Sequence, residues 1–137
     1  MSIAQTTCTS FKAELYQAVH DLLTDTIKIA LYTANANLGA DTTVYTVTGE
    51  TSGAGYVAGG IQLTGITVNT SGTTAYVDFA NASWTGSLTA RGALIYNASK
   101  SNKAIAVLDF GADKTSTTAF LVQMPANDST NALLRTA

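Results

Sequence analysis

The chain has 137 residues and a formal net charge of −2 at pH 7, and only 12% of its residues are charged, about half of the usual quarter. So few like charges argue against a disordered acidic or basic tail, and the scarcity of Lys and Arg argues against a nucleic-acid partner. A chain of this length forms one domain, which we expect to span residues 1–137.

The first organised segment is predicted to be an amphipathic helix. Apolar side chains recur at the spacing of one helix face, and Ser and Thr residues precede them as candidate caps. We therefore expect a helix over about residues 10–23 that packs on the remainder of the fold. Its apolar face consists of Phe11, Leu15, Val19 and Leu22.

From about residue 27 onward the chain has the pattern of strands and turns. Alternation of period two over 27–32 predicts the first strand. The clearest feature is a hairpin, in which the apolar runs 93–96 and 104–108 flank a polar linker. Both runs are nearly continuous, so we expect these two strands to be covered on both faces. A loop is expected over 111–118.

Seven or eight short strands follow the single predicted helix. No second helix lies between them, which argues against a parallel βαβ sheet. The frequent Thr, Val, Ile and Tyr residues suit pleated, half-buried surfaces. The sequence therefore predicts a mostly β fold, an antiparallel β-sandwich or jelly roll with one N-terminal α-helix packed on it. Strand order is not encoded in periodicity, so both architectures stay open.

Few side chains are candidates for catalysis or metal binding. Cys8 and His20 are the only residues of their types, so no intrachain disulfide and no zinc-ligand spacing are available. We expect His20 to be solvated on the polar side of the helix. The five glycines of segment 49–60 precede a strand and lack a Lys, unlike a phosphate-binding loop. We expect no catalytic residue, no cofactor and no metal.

The start of the chain lacks the basic residues and apolar run of a secretory signal. No stretch approaches the roughly 20 apolar residues that span a bilayer. We therefore expect synthesis and folding in a reducing cytoplasm, with no membrane partner.

Four side chains are candidate interface anchors, because Trp, Tyr and Arg dominate the energetics of protein interfaces. One of them precedes the glycine segment and one lies within it, and the other two lie seven positions apart in and after a Gly/Ser/Thr-rich loop. Packing at the edge of the core is the alternative interpretation. The candidates are Tyr45, Tyr56, Trp84 and Arg91.

The chain resembles a family of small structural proteins from tailed-bacteriophage virions. The resemblance covers most of the chain in order and consists of core, glycine and turn positions. It rests on Phe11-Lys12-Ala13-Glu14-Leu15, Ile29-Ala30-Leu31-Tyr32-Thr33, the segment from Thr48 to Gly60, Trp84-Thr85-Gly86, the segment from Arg91 to Asn97, and Ala106-Val107-Leu108-Asp109-Phe110-Gly111.

The resemblance implies a place in the virion, with synthesis in the host cytoplasm. The small single domain, without fibre repeats or a stalk, favours a head decoration or cement protein. Such a protein binds the outer surface of the assembled capsid, contacts the major capsid protein and bridges its subunits. It also binds itself as a homodimer or homotrimer. The alternative is a tail or baseplate component, for example a carbohydrate-binding module whose aromatic residues stack on host sugars. A small hydrolase is a further alternative.

Overall fold

The computed structural model describes residues 2–136, so the two ends of the predicted domain, Met1 and Ala137, lie outside the described residues. The chain forms a mostly β, sandwich-like fold of antiparallel sheets with one short helix, which confirms the predicted fold class. In chain order the elements are β1 (Thr6–Thr7), α1 (Thr9–Tyr16), β2 (Ile27–Tyr32), β3 (Ile61–Gln62), β4 (Thr67–Ser71), β5 (Thr74–Asp78), β6 (Ala82–Thr85), β7 (Thr89–Asn97), β8 (Lys103–Thr115), β9 (Ala119–Val122) and β10 (Leu134–Thr136).

The helix is shorter than predicted, because it ends at Tyr16 and not near residue 23. Ala18 adopts a left-handed conformation with φ 58°. Its N–H bonds to the carbonyl of Leu15 at 3.2 Å, and the N–H of Val19 bonds to the carbonyl of Glu14 at 3.1 Å. These two bonds form a Schellman motif, which terminates a helix. Ala is ordinarily the best helix former, so the pattern of residues does not indicate this end.

The predicted apolar face of the helix is correct only in part. Phe11 is 2% exposed and Leu22 is 9% exposed, but Leu22 lies in the turn that follows α1. Leu15 is 43% exposed, because the helix ends one residue later and the chain turns away. The N-cap is Cys8, with no side-chain capping bond, in place of the expected Ser or Thr. One side chain, Phe11, therefore provides the buried surface of α1.

The largest sheet has the strand order β1-β8-β7-β2-β3, and all its pairings are antiparallel. The predicted hairpin is confirmed as β7 and β8, whose central residues are fully buried. β8 extends to Thr115, into the segment expected to be a loop, because Thr115 pairs with Thr89 at the start of β7. This hairpin forms the centre of the fold.

Two smaller antiparallel sheets, β10-β5-β4 and β6-β9, complete the structure. A single hydrophobic core includes side chains from all three sheets. No helix in residues 2–136 has the length and apolar character required to cross a membrane. Members of the core include Ile29, Leu94, Val107, Leu134, Trp84 and Phe120.

Candidate functional site: a tyrosine cluster beneath an exposed loop

The carboxylate of Glu50 holds together the long loop between β2 and β3. The hydroxyls of Tyr45 and Tyr56 donate hydrogen bonds to its two oxygens, and the N–H of Gly59 donates another at 2.8 Å. Three donors from across the loop therefore converge on one carboxylate. Hydrogen bonds to an ionised acceptor are about twice as strong as neutral ones. We call Tyr45, Glu50, Tyr56 and Gly59 the Glu50 cluster.

The Glu50 cluster is attached directly to the large sheet. The N–H of Leu31 in β2 donates to the hydroxyl of Tyr56 at 3.0 Å. Tyr96 in β7 stacks on Tyr45 with ring centroids 4.8 Å apart, and its hydroxyl donates to the carbonyl of Gly59 at 2.6 Å. Loop 44–60 is consequently fixed to two strands of the sheet although it contains no regular secondary structure.

Glycines allow this loop to lie against its neighbours. At Gly60, φ is +79° and an added Cβ would lie 1.8 Å from the carbonyl oxygen of Ile29. At Gly55, φ is +91° and a Cβ would lie 1.9 Å from the carbonyl oxygen of Thr85. Any side chain at either position would force the loop away from the strand beneath it. The glycine segment thus has the structural role of close backbone approach.

The electrostatics of the cluster suit a fixed structure. Burial, followed by the hydrogen bond to Glu50, raises the pKa of Tyr45 and of Tyr56 above the ordinary tyrosine value. Both phenols therefore remain neutral hydrogen-bond donors at physiological pH. Because three donors of the same chain already occupy the Glu50 carboxylate, it is poorly placed to accept a proton from a substrate.

Loop 44–60 carries exposed aliphatic side chains. Val57 is 75% exposed, Val47 is 68% exposed and Val44 is 47% exposed. We call these three residues the valine surface. The Glu50 cluster restricts the loop before any partner binds, so less conformational entropy has to be lost on association.

The structure brings together three of the four predicted interface residues. Trp84 lies in β6 and is 4% exposed, with its ring centroid 6.2 Å from that of Tyr56. Arg91 lies elsewhere, at an irregularity between β7 and β8, with its Nε 3.6 Å from a carboxylate oxygen of Asp109. In the single chain Trp84 and Tyr56 contribute mainly to packing, and the interface role of the four residues stays a prediction.

A second polar cluster surrounds His20, which was expected to be solvated. That expectation is wrong: the side chain is fully buried, since the chain folds back after α1. Its Nε2 lies 2.8 Å from Oε1 of Glu14, and its Nδ1 lies 2.9 Å from the side-chain nitrogen of Asn97. Asn97 also donates to Asp25, which accepts a further bond from Lys100 at 2.8 Å.

This network joins α1 to the β7–β8 hairpin. An amide nitrogen can only donate, so Nδ1 of His20 accepts from Asn97 and Nε2–H donates to Glu14. The arrangement includes no Ser, Thr or Cys nucleophile bonded to the imidazole. Its members come from two stretches far apart in the sequence, 14–25 and 97–100, and no local motif signals them.

Among residues 2–136, no group of three or more His, Cys, Asp or Glu side chains is arranged to hold a metal ion. No family model, curated protein or solved structure matches this chain.

Proposed function

We propose that this protein is a non-enzymatic decoration protein that binds the outer surface of an assembled bacteriophage capsid and stabilises it by bridging capsid subunits. The observation that carries the proposal is the valine surface, three exposed aliphatic side chains on a loop that a half-buried carboxylate holds in place. The resemblance of the sequence to phage structural proteins supplies the partner, a shell built from the major capsid protein.

The exposed surface suits a permanent protein contact. The chain has a formal net charge of only −2 at pH 7, so it exerts little net electrostatic repulsion on a neighbouring subunit. Burial of apolar surface stabilises a complex by about 25 cal/mol for each Å² removed from water. Aliphatic side chains on a fixed loop are buried with little further loss of conformational entropy.

Stabilisation of the shell follows from mass action. A protein that binds the assembled lattice but not free subunits shifts the equilibrium toward the lattice. Many symmetry-related copies, each contacting more than one subunit, add the effect of high effective concentration. This role requires no reactive side chain.

The carbohydrate-binding alternative receives less support. Sugar stacking requires open aromatic faces, but Trp84 is nearly buried, and the hydroxyls of Tyr45 and Tyr56 are bonded to Glu50. A tail location is distinguishable by experiment. Electron microscopy of virions carrying labelled protein should show copies over the whole head, whereas label confined to the tail would overturn the proposal.

A binding experiment tests the valine surface itself. Emptied capsids that lack the protein are mixed with the purified wild-type chain or with Val57→Asp, and bound protein is measured after sedimentation. Val57→Asp should lose most binding, because a charge would be desolvated at the contact. Leu121→Asp is the matched control, since Leu121 is also exposed, at 60%, but lies in β9. Equal binding by both variants would exclude the valine surface.

A further inference from the structure

The sheet β10-β5-β4 ends in an open edge at β4. In the residues that the structure describes, β4 pairs only with β5, so the backbone groups on its other side have no strand partner. Open edges of this kind bind further strands, and proteins commonly block them with charged residues, Pro or bulges. β4 has the sequence Thr-Val-Asn-Thr-Ser, with none of these features.

The other edge strands in residues 2–136 are shorter or carry a charge. β1 and β3 have two residues each, and β6 and β9 have four each. β10 has three residues, including Arg135. β4 is the longest of these edge strands, and none of its own side chains is charged.

The hairpin geometry shows which backbone groups of β4 face outward. Ser71 pairs with Thr74 across a two-residue turn, and the pair that flanks such a turn exchanges both of its hydrogen bonds. Because bonding alternates along a strand, Thr67, Asn69 and Ser71 bond to β5. The N–H and C=O groups of Val68 and Thr70 therefore point away from β5.

These outward groups are complementary to a second copy of the same strand. If two β4 strands run antiparallel with Asn69 opposite Asn69, then Val68 of each copy faces Thr70 of the other. Each of these two pairs exchanges two backbone hydrogen bonds, giving four between the chains. A two-fold axis through this point generates a closed dimer with no further open β4 edge.

An apolar face adjoins this edge. Val68 is 50% exposed and lines a groove of about 980 Å³ between α1 and the sheet β10-β5-β4. Val77, opposite Val68 in β5, and Leu134, opposite Val77 in β10, line the same groove. A β4–β4 contact would make this face continuous between the two copies and cover part of Val68.

We propose that two copies of this chain associate through antiparallel pairing of their β4 strands about a two-fold axis at Asn69, which forms a continuous six-stranded sheet. The role of this dimer rests on the proposed function, because a dimer would present two valine surfaces to the shell. Its test uses the isolated protein, so failure of the pairing leaves shell binding undisturbed.

A cysteine introduced at the axis reports the pairing directly. The Cα atoms of a non-hydrogen-bonded antiparallel pair lie about 4.5 Å apart, within the roughly 4.4–6.8 Å range of disulfides. Asn69→Cys should therefore form an interchain disulfide in a glutathione redox buffer, with glutathione disulfide as the oxidant. The native thiol does not compete, because Cys8 is buried and its pKa is raised to about 11.

Thr67→Cys is the matched control, on the same strand and the same face. In the proposed register Thr67 faces Ser71 of the partner, so two introduced cysteines would lie about 14 Å apart along the strands and should not cross-link. Comparable cross-linking of both variants would indicate random collision and overturn the proposal.

Sedimentation of the wild-type protein gives the second measurement. We expect a dimer across a concentration series, and we expect Thr70→Pro to weaken it at least tenfold, because proline removes an outward-facing donor from each copy. Thr70→Val, which keeps that donor, should retain the dimer. A wild-type monomer or trimer would contradict the two-fold pairing, as would equal dimerisation of the Pro and Val variants. The melting temperature of each variant verifies folding.

Discussion

The loop 44–60 and the segment 9–25 hold exposed apolar residues by different means. The loop contains no helix or strand, yet several of its groups bond to one carboxylate and to the large sheet. The segment 9–25 contains the only helix in the described residues, but a single side chain, Phe11, provides the helix's buried surface. The presence of a helix or strand therefore does not show which region is held more firmly. The number of contacts that a region makes with the sheet is the better indicator.

The largest expected effect tests whether α1 depends on Phe11. Phe11→Ala should destabilise the protein by about 3–5 kcal/mol, the usual cost of removing a buried phenylalanine. Leu15→Ala should cost about 1 kcal/mol or less, because much of that side chain is already in water. Urea denaturation followed by circular dichroism measures both free energies of unfolding. Similar losses for the two variants would mean that the helix packs through both residues.

The second-largest expected loss of stability follows from disruption of the Glu50 cluster. Glu50→Ala should cost about 2–3 kcal/mol, because it leaves partly buried hydroxyls and an N–H without their acceptor. Glu50→Gln keeps one acceptor oxygen and should cost about half as much. The same urea titration measures both, and hydrogen exchange at Gly59 should accelerate in the alanine variant. Unchanged exchange at Gly59 would show that the loop is held by other contacts.

The dependence of folding stability on pH in the acid range tests the hydrogen-bond network around His20. Hydrogen bonds from Asn97 and Lys100 lower the pKa of Asp25 from 3.8 to about 2. The folded form therefore binds this proton less readily than the unfolded form. The stabilisation is fully present above about pH 4 and is lost as the pH falls toward 2.

Asp25→Asn removes the group that titrates. Melting temperatures measured between pH 7 and pH 2 should fall less steeply for Asp25→Asn than for the wild type. Asp113→Asn is the control, since Asp113 is exposed and accepts none of the side-chain bonds described above. Parallel curves for the wild type and Asp25→Asn would show that the hydrogen bonds from Asn97 and Lys100 are not maintained in solution.

The sequence was most informative where the structure is locally determined. The continuous apolar runs of β7 and β8 predicted a hairpin covered on both faces, and its central residues are buried. Residue type selects Tyr45 and Tyr56 as interface candidates, but no pattern in the sequence selects Glu50. Its partners lie five, six and nine positions away in an irregular loop, where no periodicity indicates contact.

The position of His20 could not be obtained from local pattern. A helix over 10–23 would place it on the solvated side, but the left-handed Ala18 ends the helix first. Its partner Asn97 is 77 residues away, at the end of β7. Such a contact depends on how the hairpin and the helix pack together, which hydrophobic periodicity does not encode.

The smallest predicted effect concerns Ala18, whose conformation separates the two regions in another way. The loop uses glycines where φ is positive, whereas the end of α1 uses an alanine at φ 58°. A left-handed conformation costs an L-residue about 1–2 kcal/mol relative to glycine, so Ala18→Gly should raise the free energy of unfolding by about 1 kcal/mol.

Gly72 has nearly the same φ, 60°, and a Cβ added there would meet no other part of the chain within 4 Å. Gly72 is the first central residue of the β4–β5 turn and the only one of its two central residues with positive φ, so Gly72→Ala should lower stability by at least about 1 kcal/mol. Opposite shifts in paired urea titrations would attribute both effects to backbone strain, whereas destabilisation by both substitutions would mean that the Ala18 methyl group packs in the groove beside α1.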